Sequence, residues 1–243
     1  MSPLNEWHNQ NFLLKQAGLW SLDKQQLSGK MNYSIRCFWL PRLGNGIRPE
    51  LEHREGWFAG GELVEGFVEP PLAPGPVEEF GETQANDASI ILIAAPGAVG
   101  KTTFAKQVCA LTGAIRVDLS RTGAIGDHFL SGGLHKVRAY DAIRSGDVGI
   151  IIDGLDEALL KTSTEGLADF LSDLVHVASD AKKPIVLAGR VRSINEAWLI
   201  LNEYGVSPPV IQIQFFDETR SEILAHSTLN RLLAKAGAKR QIT

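Results

Sequence analysis

The run Ala95-Pro96-Gly97-Ala98-Val99-Gly100-Lys101-Thr102 brings together two glycines, a lysine and a hydroxyl, the residue types needed to hold a chain of phosphates. Gly97 and Gly100 let the backbone curl until successive N–H groups point at one place, and a helix starting there adds positive potential. Lys101 then reaches the β and γ phosphates as a point charge, the Thr102 hydroxyl is placed to coordinate magnesium, and Thr103 faces the α phosphate. The run fits the P-loop pattern, with Ala95 where the first glycine usually stands. The bland alternative is a glycine-rich turn whose lysine faces solvent. A strand-like stretch before the run and a helical stripe of Phe104, Val108 and Leu111 after it favour the phosphate cradle. The cofactor this implies is ATP or GTP with Mg2+, since the loop touches phosphates and leaves the base unread.

A second cluster lies downstream, where the apolar run Val148-Gly149-Ile150-Ile151-Ile152 ends in Asp153, Asp156 and Glu157. In a parallel sheet, ligand chemistry gathers beyond the C-terminal ends of the strands, which puts Asp153 near the ion held by Thr102. Asp153 is expected to bind that ion directly or through water. Glu157, with Asp156 as competitor, is expected to orient and polarise the attacking water, because hydrolysis of a terminal phosphate needs positioning more than covalent chemistry. Taken alone, the acidic run serves equally well to cap a following helix. A third strand-like run leads into Gly189-Arg190-Val191-Arg192. Arg190 either contacts the terminal phosphate and separates triphosphate from diphosphate, or pairs with a surface acid; Arg192 is the lesser candidate.

These groups need a scaffold that brings several strand ends to one side. Short runs rich in Ile and Val at 90–94, 115–119, 148–152, 185–188 and 210–214, separated by helix-length segments, predict a parallel sheet wrapped by helices. Leu167, Phe170, Leu171, Leu174, Val175 and Ala178 recur at helical spacing and predict an amphipathic helix packed on that sheet. Asp217 reads as the N-cap of a last helix running through Ile223, Leu224 and Leu232 to Gly237.

Residues 69–88 concentrate Pro, Gly and acidic residues without an apolar period and read as a linker. The predicted organisation is therefore a small module over 1–68, the linker, and a nucleotide-binding domain over 89–243. In the first part, alternation of Tyr33, Ile35, Cys37 and Trp39 predicts a strand, and four of the five Trp residues precede the linker. Those aromatics either form the module's core, the favoured reading, or a stacking platform for nucleic acid. The charged content of 21% and net charge of -4 are ordinary globular values and give no global attraction to nucleic acid or an anionic membrane. Cys37 and Cys109 alone cannot build a disulfide framework, no metal-finger spacing is present, and the polar start and short apolar runs predict a cytoplasmic protein without a membrane span.

The combination resembles the NACHT and related STAND group of signal-transducing P-loop ATPases, themselves related to AAA+ proteins, most clearly through IIIDGLDEA at 150–158. In that group a second acidic pair follows the magnesium aspartate after a small and an apolar residue, as Asp156 and Glu157 do. The resemblance covers about residues 89–216 and implies a three-layer sandwich with sheet order 5-1-4-3-2. It implies ATP in preference to GTP, and a nucleotide-driven switch acting with a protein partner or through self-association. Three features depart from the family: Ala95, the AGR that ends the fourth run in place of threonine-serine-arginine, and the lack of a winged-helix or repeat region downstream. The predicted activity is slow, magnesium-dependent ATP hydrolysis serving regulation. A non-hydrolysing nucleotide-binding scaffold, a nucleic-acid-dependent ATPase and, lower, a small-molecule kinase are the alternatives.

Overall fold

The computed structural model describes residues 31–44, 56–81, 85 and 87–240, excluding the side chains of 235–240. Seven strands form one mixed sheet: β1 (Phe58–Ala59), β2 (Leu72–Pro74), β3 (Ile90–Ala95), β4 (Ile115–Asp118), β5 (Ile150–Asp153), β6 (Ile185–Arg190) and β7 (Val210–Ile213). The principal helices are α1 (Lys101–Thr112), α2 (Phe129–Lys136), α3 (Tyr140–Ser145), α4 (Leu155–Leu159), α5 (Thr164–Asp180), α6 (Val191–Glu203) and α7 (Glu218–Arg240). The sheet order is β1-β4-β5-β6-β3-β7-β2. The seven-stranded order as a whole is not the 5-1-4-3-2 sheet implied by the resemblance, although the five inner strands, counted along the chain from β3 to β7, stand in that sequence. The inner strands β4-β5-β6-β3-β7 are parallel, but an antiparallel strand from the upstream segment is added at each edge, β1 beside β4 and β2 beside β7.

Side-chain alternation along the apolar strands divides the core into two faces. Ile90, Leu92 and Ala94 of β3 face a cluster with Leu167, Phe170, Leu171 and Leu174 of α5 and Ile194, Ala197 and Leu201 of α6. Ile91, Ile93 and Ala95 face the opposite way, toward Phe104, Ala105, Val108 and Cys109 of α1. Both faces are therefore covered, which is why the inner strands are continuously apolar rather than alternating. The stripe expected on α5 is buried as its spacing predicts. At the N-terminus of α7, Asp217 accepts the backbone N–H of Arg220 at 2.8 Å, the predicted cap, and the helix runs past Gly237 to Arg240.

Upstream of β3 the structure differs from the sequence reading. Residues 35–39 form a π-helical turn, not a strand, capped by Ser34 Oγ accepting the Cys37 N–H at 3.3 Å, and they continue into a helical turn at Leu40–Leu43. The buried residues are Ile35, Phe38, Trp39 and Leu43, a helical spacing that tertiary packing selected over the period-2 pattern. Trp39 is fully buried and meets Phe104 edge-on with ring centroids 5.9 Å apart, so it is core and not a stacking platform. Trp7 and Trp20 lie outside the described residues. Residues 69–88 are also not a bare linker, since they contain β2 and a helical turn at Val77–Phe80 whose Phe80 is buried. Pro74 is tolerated because β2 is an edge strand. The described residues from Tyr33 to Arg240, the 69–81 stretch included, belong to one compact unit.

The register brings the C-terminal ends of the inner strands to one side. Ala95 pairs with Arg190 and Asp118 pairs with Asp153. Ala95, expected as the first residue of the loop, is instead the buried last residue of β3. Among the described residues no helix is long and apolar enough to cross a membrane.

Candidate functional site

β3 delivers the chain to Pro96 through an entirely buried strand, and α1 begins at Lys101, so the loop between them is held at both ends by core elements. Gly100 caps α1 with φ +87°, a conformation that costs a residue with Cβ, and Ala98 adopts φ +63° without being a glycine. Two of the five residues from Pro96 to Gly100 thus adopt the left-handed backbone conformation. The first-turn N–H groups of α1 have no intrahelical partner and face the same side as the strand ends. A Cβ added at Gly97 would meet no atom within 4 Å, so the loop opens onto space.

The acidic cluster is set by β5 and α4. Asp153 is the last residue of β5 and 1% exposed. Gly154 follows with φ +89°, and a Cβ there would lie 2.9 Å from the Ser120 backbone nitrogen, so only glycine turns the chain sharply enough to start α4 at Leu155. That turn puts Asp156 and Glu157 in the first helical turn, beside Asp153. Lys101 Nζ approaches all three acids, at 2.7 Å from Asp156 Oδ1, 3.6 Å from Asp153 Oδ1 and 3.9 Å from Glu157 Oε2. The lysine of the loop and the acidic strand end therefore lie together in one charged cluster. Arg190 joins them, its Nε 2.8 Å from Asp156 Oδ2. Arg192 is exposed, and no contact joins it to this cluster.

Asp156 is engaged through both oxygens. Burial alone would raise its carboxyl, but the Lys101 hydrogen bond and charge, its own backbone N–H and the Arg190 charge outweigh burial and hold it below the usual aspartate value. By contrast, Asp153 Oδ1 and Glu157 Oε2 are buried and have no hydrogen-bond partner among the described residues. Buried carboxylate oxygens without donors are costly, and both sit within reach of the ammonium of Lys101. They fit a cation arriving with a ligand. Among the described residues no three His, Cys, Asp or Glu side chains are arranged to hold a metal on their own. Magnesium does not require that, because it is usually held by one or two protein oxygens, with waters and substrate phosphates completing its shell. The candidate donors, the Asp153 carboxylate and the hydroxyl of Thr102, which follows Lys101 in the chain, are of the right kind.

The structure adds residues that the motif reading missed. On β4, Arg116 is only 3% exposed, with Nη1 3.1 Å from Asp118 Oδ2 and 3.8 Å from Asp153 Oδ2. Arg121 Nε lies 3.2 Å from Asp118, and the Ser120 hydroxyl donates to it at 2.5 Å. Arg116 thus supports the side of Asp153 facing away from Lys101. The available signal was a charged pair inside the apolar strand Ile115-Arg116-Val117-Asp118, where charge survives burial only if paired.

For Asp118, burial raises the carboxyl, but the Ser120 hydroxyl, Arg116 and Arg121 outweigh it and leave the group below its usual value. A depressed folded value means that the stabilisation is complete above the unfolded titration near 3.8 and is lost as pH falls through the folded value. Asp118→Asn should lower stability by about 2 kcal/mol at neutral pH, because buried Arg116 loses its nearest acceptor, and flatten the acid limb below about pH 4. Urea unfolding at stepped pH reads both effects, and an acid limb as steep as the parent's would contradict the cluster's electrostatics.

A separate open apolar groove of about 470 Å3, lined by Phe216, Leu224, Leu229 and Leu232 among others, runs along α7 and contains no charged group.

No protein-family model matches the chain, and no curated protein matches it. Among solved structures, one described as "Structural Basis for Katanin Self-Assembly" is similar over 50% of this chain and 40% of that chain, with 18% identity and a TM-score of 0.29. The chain thus spans less than half of that katanin chain, and a likeness at this score carries no argument about activity or assembly.

Proposed function

We propose that this chain is a magnesium-dependent P-loop nucleotide hydrolase whose nucleotide state controls its conformation, a regulatory switch of the NACHT/STAND kind. The observation that supports this reading is the approach of Lys101 to Asp153, Asp156 and Glu157, side by side at the end of a phosphate-type loop and an acidic strand end. The backbone from Pro96 to Gly100 and the first turn of α1 hold the phosphates, Lys101 neutralises the β and γ oxygens, and Thr103 faces the α phosphate. Thr102 and Asp153 would hold Mg2+, which would supply positive charge against the developing charge on the phosphate oxygens.

Glu157 accepts the proton of the attacking water. Asp156 is the weaker candidate for that role because both its oxygens are committed to cations at 2.7–2.8 Å, whereas Glu157 Oε2 accepts no hydrogen bond among the described residues and stands 3.9 Å from Lys101 Nζ. Arg190 reads the terminal phosphate. ATP rather than GTP is the expected nucleotide, on the strength of the family resemblance.

Equilibrium binding of ATP and GTP with magnesium, together with phosphate release, tests this reading. ATP should bind and turn over slowly without any phosphoryl acceptor, and added DNA or RNA should leave the rate unchanged. Failure to bind either nucleotide would end the proposal. Binding without phosphate release would make the chain a scaffold, and stimulation by nucleic acid would make it a nucleic-acid-dependent ATPase.

A further inference from the structure

Two cations from different elements converge on one carboxylate. Lys101, from the start of α1, bonds Asp156 Oδ1 at 2.7 Å, and Arg190, from the end of β6, meets Oδ2 at 2.8 Å. Neither Asp153 nor Glu157 competes at comparable distance, since both stand 3.6 Å or more from the lysine. A carboxylate gripped from both sides in this way occupies a position suited to a larger anion with similarly spaced oxygens. A terminal phosphate is such an anion, with more acceptor oxygens and more charge than an aspartate. Its arrival would draw both cations away, and the Arg190 contact is readily surrendered because that side chain is 64% exposed.

We infer that Asp156 is an internal stand-in for the terminal phosphate, and that the need to displace it from both cations weakens triphosphate binding more than diphosphate binding. The inference rests on the nucleotide reading above. A triphosphate engages Lys101 and Arg190 together and releases Asp156 completely. A diphosphate that engages Lys101 alone leaves Asp156 held by Arg190. The released carboxylate lies in the first turn of α4, next to Glu157, so exchange also reports the occupancy of the terminal-phosphate position to the element that carries the water-activating group. Asp156 thus competes with the terminal phosphate and narrows the margin by which triphosphate outbinds diphosphate.

Dissociation constants for MgATP and MgADP, measured calorimetrically for the parent, Asp156→Asn, Arg190→Ala and the double variant, test the exchange. Asp156→Asn should tighten MgATP about tenfold, equivalent to about 1.4 kcal/mol, and MgADP by less than about threefold. In the Arg190→Ala background the gain for MgATP should shrink to about threefold or less, because the second cation is no longer released. Equal tightening of both nucleotides, or the full gain persisting without Arg190, would reduce Asp156 to a general source of negative field and overturn the inference. Weaker MgATP binding by Asp156→Asn would overturn it as well. If Asp156→Asn fails to fold in a thermal melt, Asp156→Ser makes the same comparison. Binding of neither nucleotide by the parent sinks the nucleotide reading itself; binding by the parent with an unaltered ATP-to-ADP ratio in Asp156→Asn sinks only the exchange.

Discussion

Lys101→Ala is expected to weaken binding of ATP with magnesium by about 100-fold or more, corresponding to about 3 kcal/mol. Truncating one partner of a buried, hydrogen-bonded charge pair costs about 2–5 kcal/mol, and the lysine side chain here is only 12% exposed. Part of that loss is offset, because the free protein also gives up the Lys101 contact with Asp156. A second effect acts in the opposite direction from this offset. Without the ammonium, Asp153, Asp156 and Glu157 remain clustered, with Arg190 and Arg116 as their nearest cations, and an incoming triphosphate meets three carboxylates with less compensation. Titration of a fluorescent ATP analogue into parent and variant reads the difference, and equal affinity would show that the loop does not hold phosphate.

Glu157→Gln should behave in the complementary way, retaining the triphosphate while losing turnover by about 100-fold or more, the usual contribution of a positioned general base. The amide keeps the shape of the side chain and removes its basicity. It also removes a negative charge 3.9 Å from Lys101, so affinity for ATP should be unchanged or higher. Single-turnover phosphate release at saturating ATP separates the chemical step from binding. Turnover equal to the parent's would move the base to Asp156, whose two oxygens would then have to leave Lys101 and Arg190 before reaching a water. For the same reason Asp156→Asn alone should not produce a loss as deep.

The local features of the candidate site were legible in the sequence because each has its own chemical signature. The glycines, lysine and threonine after β3 occupy fixed offsets, and the acids after β5 end an Ile-rich run that has few uses other than a buried strand. The five inner strands were legible to within a few residues, as their Ile and Val content requires burial on both faces. What escaped depended on contacts between distant segments. At 33–39 the same residues satisfy a period of 2 in sequence and a helical period in space, and only the packing of Trp39 and Leu43 beside α1 decides between them. The Pro-rich 69–88 segment contains β2 because β7 offers it an unpaired edge, which no local propensity announces. Arg116 was missed because its meaning comes from Asp118 and Asp153, the latter on a different strand.

The two short edge strands bear on how little of the chain can stand alone. β1 lies against β4 and β2 against β7, so both margins of the parallel layer are shielded by residues that precede Ser89. A polypeptide begun at Ser89 would keep the loop and every acid of the cluster, yet it would present two bare rows of backbone donors and acceptors to other molecules. Residues 56–74 therefore serve as selvedges, and trimming the chain to the segment after Ser89 would leave a sheet prone to stack edge to edge.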